Sequence, residues 1–129
     1  MTIAAALLTA LLFGGMMLYS FGFAAFLFSA LPSELAGRTL RRAFPHFYVF
    51  VLVVAMLAGM ALAPLDGLSA LMMAGVALST WPARQLLMPA INAATDRGDT
   101  ARFRALHALS VAITLAHIVA AGAVLIRLV

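Results

Sequence analysis

The chain has 129 residues, of which 66% are hydrophobic and 9% charged, and its mean hydropathy is +1.14. Ordinary globular domains carry about 25% charged residues, so this composition excludes a soluble fold and indicates one small integral membrane domain. A net charge of +4 on so apolar a chain is typical of orientation in a membrane rather than of nucleic-acid binding. The absence of cysteine excludes disulfides, thiolate metal sites and thiol nucleophiles.

Four apolar segments approach the length of about 20 residues that a helix needs to cross a bilayer. The predicted spans cover about 2–31, 47–63, 68–88 and 103–128. They predict an all-α fold in which residues 1–129 form a single four-helix membrane bundle. The first span is longer than needed, and its small and aromatic residues share one stripe that we expect to face the bundle. That stripe consists of Gly15, Tyr19, Gly22, Phe26 and Ser29.

The connections between these spans differ in length and charge. The first, "PSELAGRTLRRAFPH", is charged and predicts a short interfacial helix with Ser33 as its N-cap. The second, "PLDG", is long enough only for a turn, so spans two and three must be antiparallel neighbours. The third, "PAINAATDRGDTAR", is again charged, and we expect Thr100 to cap the fourth span.

The arginines predict how the chain is oriented. All but Arg127 lie in or beside the two long connections, which must emerge on the same face of the membrane: Arg38, Arg41, Arg42, Arg84, Arg97, Arg102 and Arg104. By the positive-inside rule both long connections are cytoplasmic and both termini are outside. We therefore expect a multi-pass protein of the cell membrane, specifically the bacterial inner membrane.

Polar residues within the fourth span lie on one helical face. At about 100° per residue, Ser110, Thr114 and His117 turn to the same side as His107. His107 lies near the cytoplasmic boundary, whereas His117 lies about 15 Å deeper. Ionisable residues inside a membrane are functional candidates by default, although a packed or interfacial histidine is the plainer interpretation of each.

His46 begins the second span on the same side as His107, so the two imidazoles form the minimum set for bis-histidine ligation of haem b. His107 and His117 are also candidate metal ligands, and eight methionines raise the weaker alternative of copper(I). No carboxylate lies within a span, which argues against a coupled Asp/Glu proton relay. No Ser/His/Asp set, P-loop, dinucleotide fingerprint or HExxH pattern occurs, so no enzyme class is assigned.

Two motifs carry a family resemblance: "FLFSALPSELAGRTLRRAFPHFY", and "PAIN" followed by a charged linker and "RFRALHALS". The chain resembles the small membrane family that includes human transmembrane protein 205 and bacterial proteins with a domain of unknown function. The positions that match its pattern are Phe44, Pro45, Tyr48, Pro89, Asn92, Phe103, His107 and Ser110. The resemblance implies a four-helix membrane bundle and no established activity, and it does not extend to His46. The architecture is more loosely similar to copper-resistance D domains and to four-helix membrane protoporphyrinogen oxidases, which bind haem.

The leading hypothesis is a polar site near the cytoplasmic face, centred on His107 and Ser110 and completed by Tyr48, Asn92 and His46. It would bind haem or another redox or hydrophobic small ligand. One alternative is a non-catalytic accessory or scaffold subunit, and another is a small-solute or metal exporter, copper included. The expected partners are the lipid bilayer and a second copy or a larger membrane complex, with no nucleic acid.

Overall fold

A computed structural model of the chain describes residues 2–129, and its elements are all helical. Met1, part of the expected 1–129 domain, lies outside the described residues. The elements are α1 (Thr2–Met17), a first π segment (Leu18–Phe23), α2 (Ala24–Ala30), α3 (Ser33–Leu62), α4 (Gly67–Pro82), a second π segment (Ala83–Leu87), α5 (Met88–Asp96) and α6 (Thr100–Leu128).

Within residues 2–129, three helical stretches are long and apolar enough to cross a membrane: Thr2–Ala30, Ser33–Leu62 and Thr100–Leu128. These helices make the chain an integral membrane protein in contact with the lipid bilayer. The first and third of them coincide closely with the predicted spans 2–31 and 103–128. The predicted span 68–88 is not among the three and lies in the stretch that α4, the second π segment and α5 form together.

The second membrane helix begins much earlier than the predicted position 47. α3 starts at Ser33 and continues through Pro45, so there is no separate interfacial helix, and Pro32 rather than Ser33 occupies the N-cap position. Proline removes one backbone donor and disfavours a helical residue before it, which made Pro45 look like a boundary. The helix continues because Ala36 and Leu40 are buried in its first turns. In addition, Arg84 Nε donates a hydrogen bond of 3.3 Å to the Pro45 carbonyl.

The third connection is shorter than expected, because α5 occupies its first half. Only residues 97–99 separate α5 from α6, and Gly98 makes the turn with φ of +68°. The Asp99 carboxylate caps α6 by accepting a hydrogen bond of 3.1 Å from the Arg102 amide. The prediction that Thr100 is the cap was therefore wrong, since the residue before it already supplies the acceptor.

The "PLDG" turn brings α3 and α4 together as antiparallel neighbours, as predicted, and they form the most extensive helix contact in the molecule. Asp66 caps α4 through the amides of Leu68 and Ser69. Close packing is possible because Gly59 faces α4, where a Cβ would lie 3.5 Å from Met73 Cβ. At the same end, Arg127 of α6 donates from Nε to Asp66 Oδ2 at 2.9 Å and to Ser69 Oγ at 3.1 Å. We call Asp66, Ser69 and Arg127 the turn clasp.

The core is built from small and aliphatic side chains of α1, α3, α4 and α6, with Leu12, Val51, Met73 and Val124 fully or almost fully buried. Large apolar side chains also cover the outside of the molecule, where a soluble protein would be polar. The remaining charges collect at the end opposite the turn clasp, where Arg41 of α3 meets Asp96 of α5. We call this the arginine-rich end.

Candidate functional site

A cavity of about 620 Å³ lies at the arginine-rich end, between α3, α5 and α6. We call it the His107 cavity. Its lining includes Leu40, Arg41, Phe44, Asn92, Phe103 and His107. Of the predicted site residues, the structure brings His107 and Asn92 together here. They come from different helices on either side of the Gly98 turn.

Helical spacing explains the two apolar walls of this cavity. Leu40 and Phe44 are four residues apart on α3 and therefore share a face. Phe103 and His107 have the same spacing on α6, and their rings stack with centroids 5.4 Å apart and planes 9° from parallel. The stack orients an exposed imidazole against one wall, while the half-buried Asn92 amide is the polar group on α5.

Charges of both signs surround the opening. Arg41 donates two hydrogen bonds to the Asp96 carboxylate, at 2.7 and 2.9 Å, and thereby ties α3 to α5. Arg38 and Glu34 line the cavity as a looser, exposed pair 4.0 Å apart. The cavity thus combines an apolar interior with a charged opening.

Tyr48 and Ser110, also predicted for the site, contact each other instead of lining this cavity. Their hydroxyl oxygens lie 3.3 Å apart and share a hydrogen bond between α3 and α6. Tyr48 is buried, one turn along α3 from Phe44, and the two ring centroids are 6.2 Å apart. The pair fixes the distance between the two helices that carry the cavity walls.

His46 is not brought together with His107. It is exposed and lines a different cavity, beside Tyr19 and Phe50. The reason is angular: His46 is two residues from both Phe44 and Tyr48, which is about 200° around the helix. Because Phe44 lines the His107 cavity and Tyr48 contacts Ser110 of α6, His46 faces away from this cavity.

His117 is buried among α4 and α6 and has a protein partner. Its Nε2 lies 2.7 Å from Ser79 Oγ, and the imidazole tautomer decides which of the two donates. Thr114, one turn earlier, is half-buried. In the part of the chain that the structure describes, no group of three or more His, Asp or Glu side chains could hold a metal ion.

Sequence reasoning missed several features of this region. The spacing of Leu40, Phe44 and Tyr48 could have shown that they share a face, as could that of Phe103 and His107. The Arg41–Asp96 ion pair could not have been found, because it depends on how far α5 extends past the expected span. The stripe of the first span was wrong in its second half, where Gly22, Phe26 and Ser29 are exposed. The first π segment holds more residues per turn than an α-helix and shifts the angular register there.

Comparison with known families gives one match. A family model described as a domain of unknown function (DUF4149) matches residues 7–100. The matched segment begins within α1 and ends where α6 begins, so it includes Asn92 and the α3 wall of the cavity. No curated protein and no solved structure is significantly similar to the chain.

Proposed function

We propose that this chain, which belongs to the DUF4149 family of unknown function, binds an amphiphilic small molecule in the His107 cavity. The observation that carries the proposal is the meeting of His107 and Asn92, from α6 and α5, in one cavity with apolar walls. Ligand sites are typically concave and mostly apolar, with a few convergent polar groups that fix orientation. The His107 cavity has this composition.

The proposal includes an architecture and an orientation. The stretch Gly67–Asp96 crosses the membrane as a fourth helix, so that residues 1–129 form one four-helix membrane domain. The arginine-rich end faces the cytoplasm, which puts both termini outside and the cavity at the cytoplasmic interface of a cell membrane, specifically a bacterial inner membrane. We also propose that the chain is related to the transmembrane protein 205 family, on the resemblance of "FPHFY" and "RFRALHALS" to its motifs. An interface is where an amphiphile finds both water and hydrocarbon.

Each side chain then has a distinct role in binding. His107 and Asn92 hydrogen-bond the polar part of the ligand, and the Phe103 stack keeps the imidazole in place. Leu40 and Phe44 contact its apolar part. Arg41, already paired with Asp96, holds α5 against α3 and keeps the cavity in shape.

Haem b is a redox-active amphiphile and is therefore one candidate ligand. Ligation of its iron by two histidines does not fit, because His46 lines a different cavity from His107. His107 would be the only histidine to hold the iron, with Phe103 orienting its ring. When bound, haem would supply one-electron chemistry, whereas the chain's own residues bind and orient it.

The test uses the full chain in detergent and two probes: haem b, followed by its Soret absorbance, and a lysophospholipid, counted by native mass spectrometry. For the lysophospholipid we expect His107→Ala and Asn92→Leu to weaken binding by about tenfold each, which is the loss of one or two hydrogen bonds. For haem b we expect His107→Ala to abolish the Soret band of bound haem, because it removes the iron ligand. Leu109→Ala is the matched control, since Leu109 lies on the same helix, is exposed and does not line the cavity. Equal binding of both probes by all variants would disprove the proposal.

The helix-to-helix hydrogen bonds favour a second function, that of a non-catalytic accessory or scaffold subunit in an oligomer or larger membrane complex. Tyr48–Ser110 joins α3 to α6 and Ser79–His117 joins α4 to α6, and both serve packing without a ligand. A scaffold predicts that Tyr48→Phe lowers the thermal midpoint, whereas His107→Ala leaves ligand binding unchanged or undetectable. The same binding series therefore separates the two functions.

A further inference from the structure

A second cavity, of about 680 Å³, lies between the first membrane helix and α3. Its lining includes Tyr19, Gly22, Phe23, His46, Phe47 and Phe50. We call it the Tyr19 cavity, and we propose that it binds the ring of a lipid-soluble quinone. The proposal is independent of the His107 cavity, because the two share none of these lining residues.

The shape of the walls favours a flat ring. Tyr19 and Phe47 stack with centroids 4.5 Å apart and planes 15° from parallel, and Phe23 lies 5.1 Å from Tyr19. Aromatic rings prefer offset-stacked or edge-on neighbours, so such a wall receives a planar conjugated ring better than a flexible acyl chain. Phe50 forms part of the wall on α3.

Gly22, which lies in the first π segment, keeps the cavity open because it has no side chain. Gly22 is exposed, and a Cβ there would meet only the end of the Leu18 side chain, at 3.1 Å. Phe26, four residues further along the chain, also lines the cavity and is 62% exposed on the outside of an apolar helix. The opening therefore faces the hydrocarbon of the bilayer, from which a lipid-soluble ligand arrives.

Two polar side chains interrupt this apolar lining, Tyr19 on one helix and His46 on the other. Among residues 2–129, the Tyr19 hydroxyl is the one buried side-chain polar group that has no hydrogen-bond partner. An unpaired buried hydroxyl is costly, and the bilayer interior provides no water to compensate. A ligand with an acceptor removes that cost once the Tyr19 side chain shifts toward it.

Quinones match this pair of groups better than other lipid-soluble molecules. A para-quinone carries carbonyl acceptors on opposite edges of a flat ring, one for the Tyr19 hydroxyl and one for the His46 imidazole. An acyl chain has neither the ring nor, along its length, an acceptor. The aromatic walls and the unpartnered Tyr19 hydroxyl together therefore favour a planar ligand that carries acceptors.

The experiment titrates decylubiquinone into the full chain in nanodiscs by calorimetry, with empty nanodiscs as the blank. We expect saturable binding that Gly22→Leu weakens at least about tenfold, because the added side chain occupies the cavity. Tyr19→Phe keeps the ring and removes the hydroxyl, so we expect a loss of about fivefold, one hydrogen bond. Gly14→Leu, the matched control, adds the same side chain to the same membrane helix where nothing lies within 4 Å of the new Cβ, and it should bind like the wild type.

Circular dichroism and gel filtration establish that each variant is folded before titration. No heat above that of empty nanodiscs would overturn the proposal, as would equal affinity of Gly22→Leu and the wild type. Equal affinity of Tyr19→Phe and the wild type would overturn the hydrogen bond that selects a quinone.

Discussion

The three histidines occupy three different environments, which determine what each can do. His107 is exposed and stacked on Phe103, His46 is exposed beside Tyr19, and His117 is buried against Ser79. A buried imidazole in a low-dielectric interior needs a partner, and His117 has one. We therefore expect His117 to act in helix packing and the other two to be available to ligands.

Ser79→Ala tests the packing role of His117. The substitution leaves His117 Nε2 without its partner, and interhelical hydrogen bonds in membranes contribute about 0.6 to 1.7 kcal/mol. We expect a thermal midpoint lowered by a few degrees in detergent. Ser29→Ala is the control, since the Ser29 hydroxyl bonds only within its own helix. A Ser79→Ala midpoint equal to that of Ser29→Ala would contradict the assignment.

Gly14 and Gly15 are adjacent but differ in the space around them. A Cβ at Gly15 would lie 2.6 and 2.7 Å from ring atoms of Phe50, whereas one at Gly14 would meet nothing within 4 Å. Overpacking of this kind costs about 1 to 3 kcal/mol, while Gly→Ala in an open helix position gains up to about 1 kcal/mol. Unfolding in denaturing detergent should rank Gly14→Ala above the wild type and Gly15→Ala below it. The reverse order would refute the Gly15–Phe50 contact.

Helical periodicity alone could have separated the predicted site residues. His46 and Tyr48 are about 200° apart on one helix, so both could not face α6. The polar face of α6 was readable for the same reason, and Ser110 and His117 do contact other helices. Periodicity does not indicate which residue of the facing helix is the hydrogen-bond partner. The sequence therefore identified His117 without Ser79.

The ends of the helices were the least predictable elements, because local signals were overridden by packing. Pro45 looked like a start but lies well inside α3, and "PAINAATD" looked like a loop but forms α5. Both elements lie beside the His107 cavity. The cavity was therefore hidden from sequence reasoning, although His107 and Asn92 were named. Its walls are the parts of α3 and α5 that had been assigned to the connections between spans, the first of them as a short interfacial helix.

The turn clasp predicts a pH dependence. Hydrogen bonds from Ser69 and Arg127 lower the pKa of Asp66 from its ordinary value of 3.8 to about 2. A depressed folded-state pKa means that the clasp contributes fully above pH 4 and is lost as the pH falls toward 2. We expect Asp66→Asn to melt below the wild type at pH 7, with a difference that shrinks between pH 4 and 2.

Glu34→Gln serves as the control for that series, because Glu34 is exposed and its ion pair with Arg38 is loose, at 4.0 Å. Its midpoint should follow that of the wild type at every pH. A constant offset between Asp66→Asn and the wild type from pH 7 to pH 2 would show that the carboxylate charge does not hold α6.

At the scale of the whole molecule, charge is segregated to the two ends. Arg127 and Asp66 lie at the turn end, and the remaining charged residues lie toward the arginine-rich end. Between them the surface carries large exposed side chains such as Ile3, Leu71 and Leu78. This distribution follows from composition, so the sequence predicted the membrane setting even where it misplaced helix ends.

The absence of cysteine makes the orientation directly measurable. We expect Leu65→Cys, in the α3–α4 turn, to react with a membrane-impermeant maleimide in intact cells. Thr100→Cys, at the start of α6, should react only after permeabilisation if the stretch Gly67–Asp96 crosses the membrane as proposed, since the two sites then lie on opposite sides. Labelling of both sites in intact cells would refute the fourth crossing, and the opposite pattern would refute the orientation.

The turn clasp also sets where the molecule resists a mechanical load. Because Arg127 lies in the last turn of α6 and contacts Asp66 and Ser69 outside its own helix, a pull on that end of α6 reaches the clasp first. Such a pull must break these charged hydrogen bonds before any turn of α6 can leave its neighbours. A force trace should therefore begin with one rupture peak, and that peak should vanish in Asp66→Asn while the later extension of the helix is unchanged.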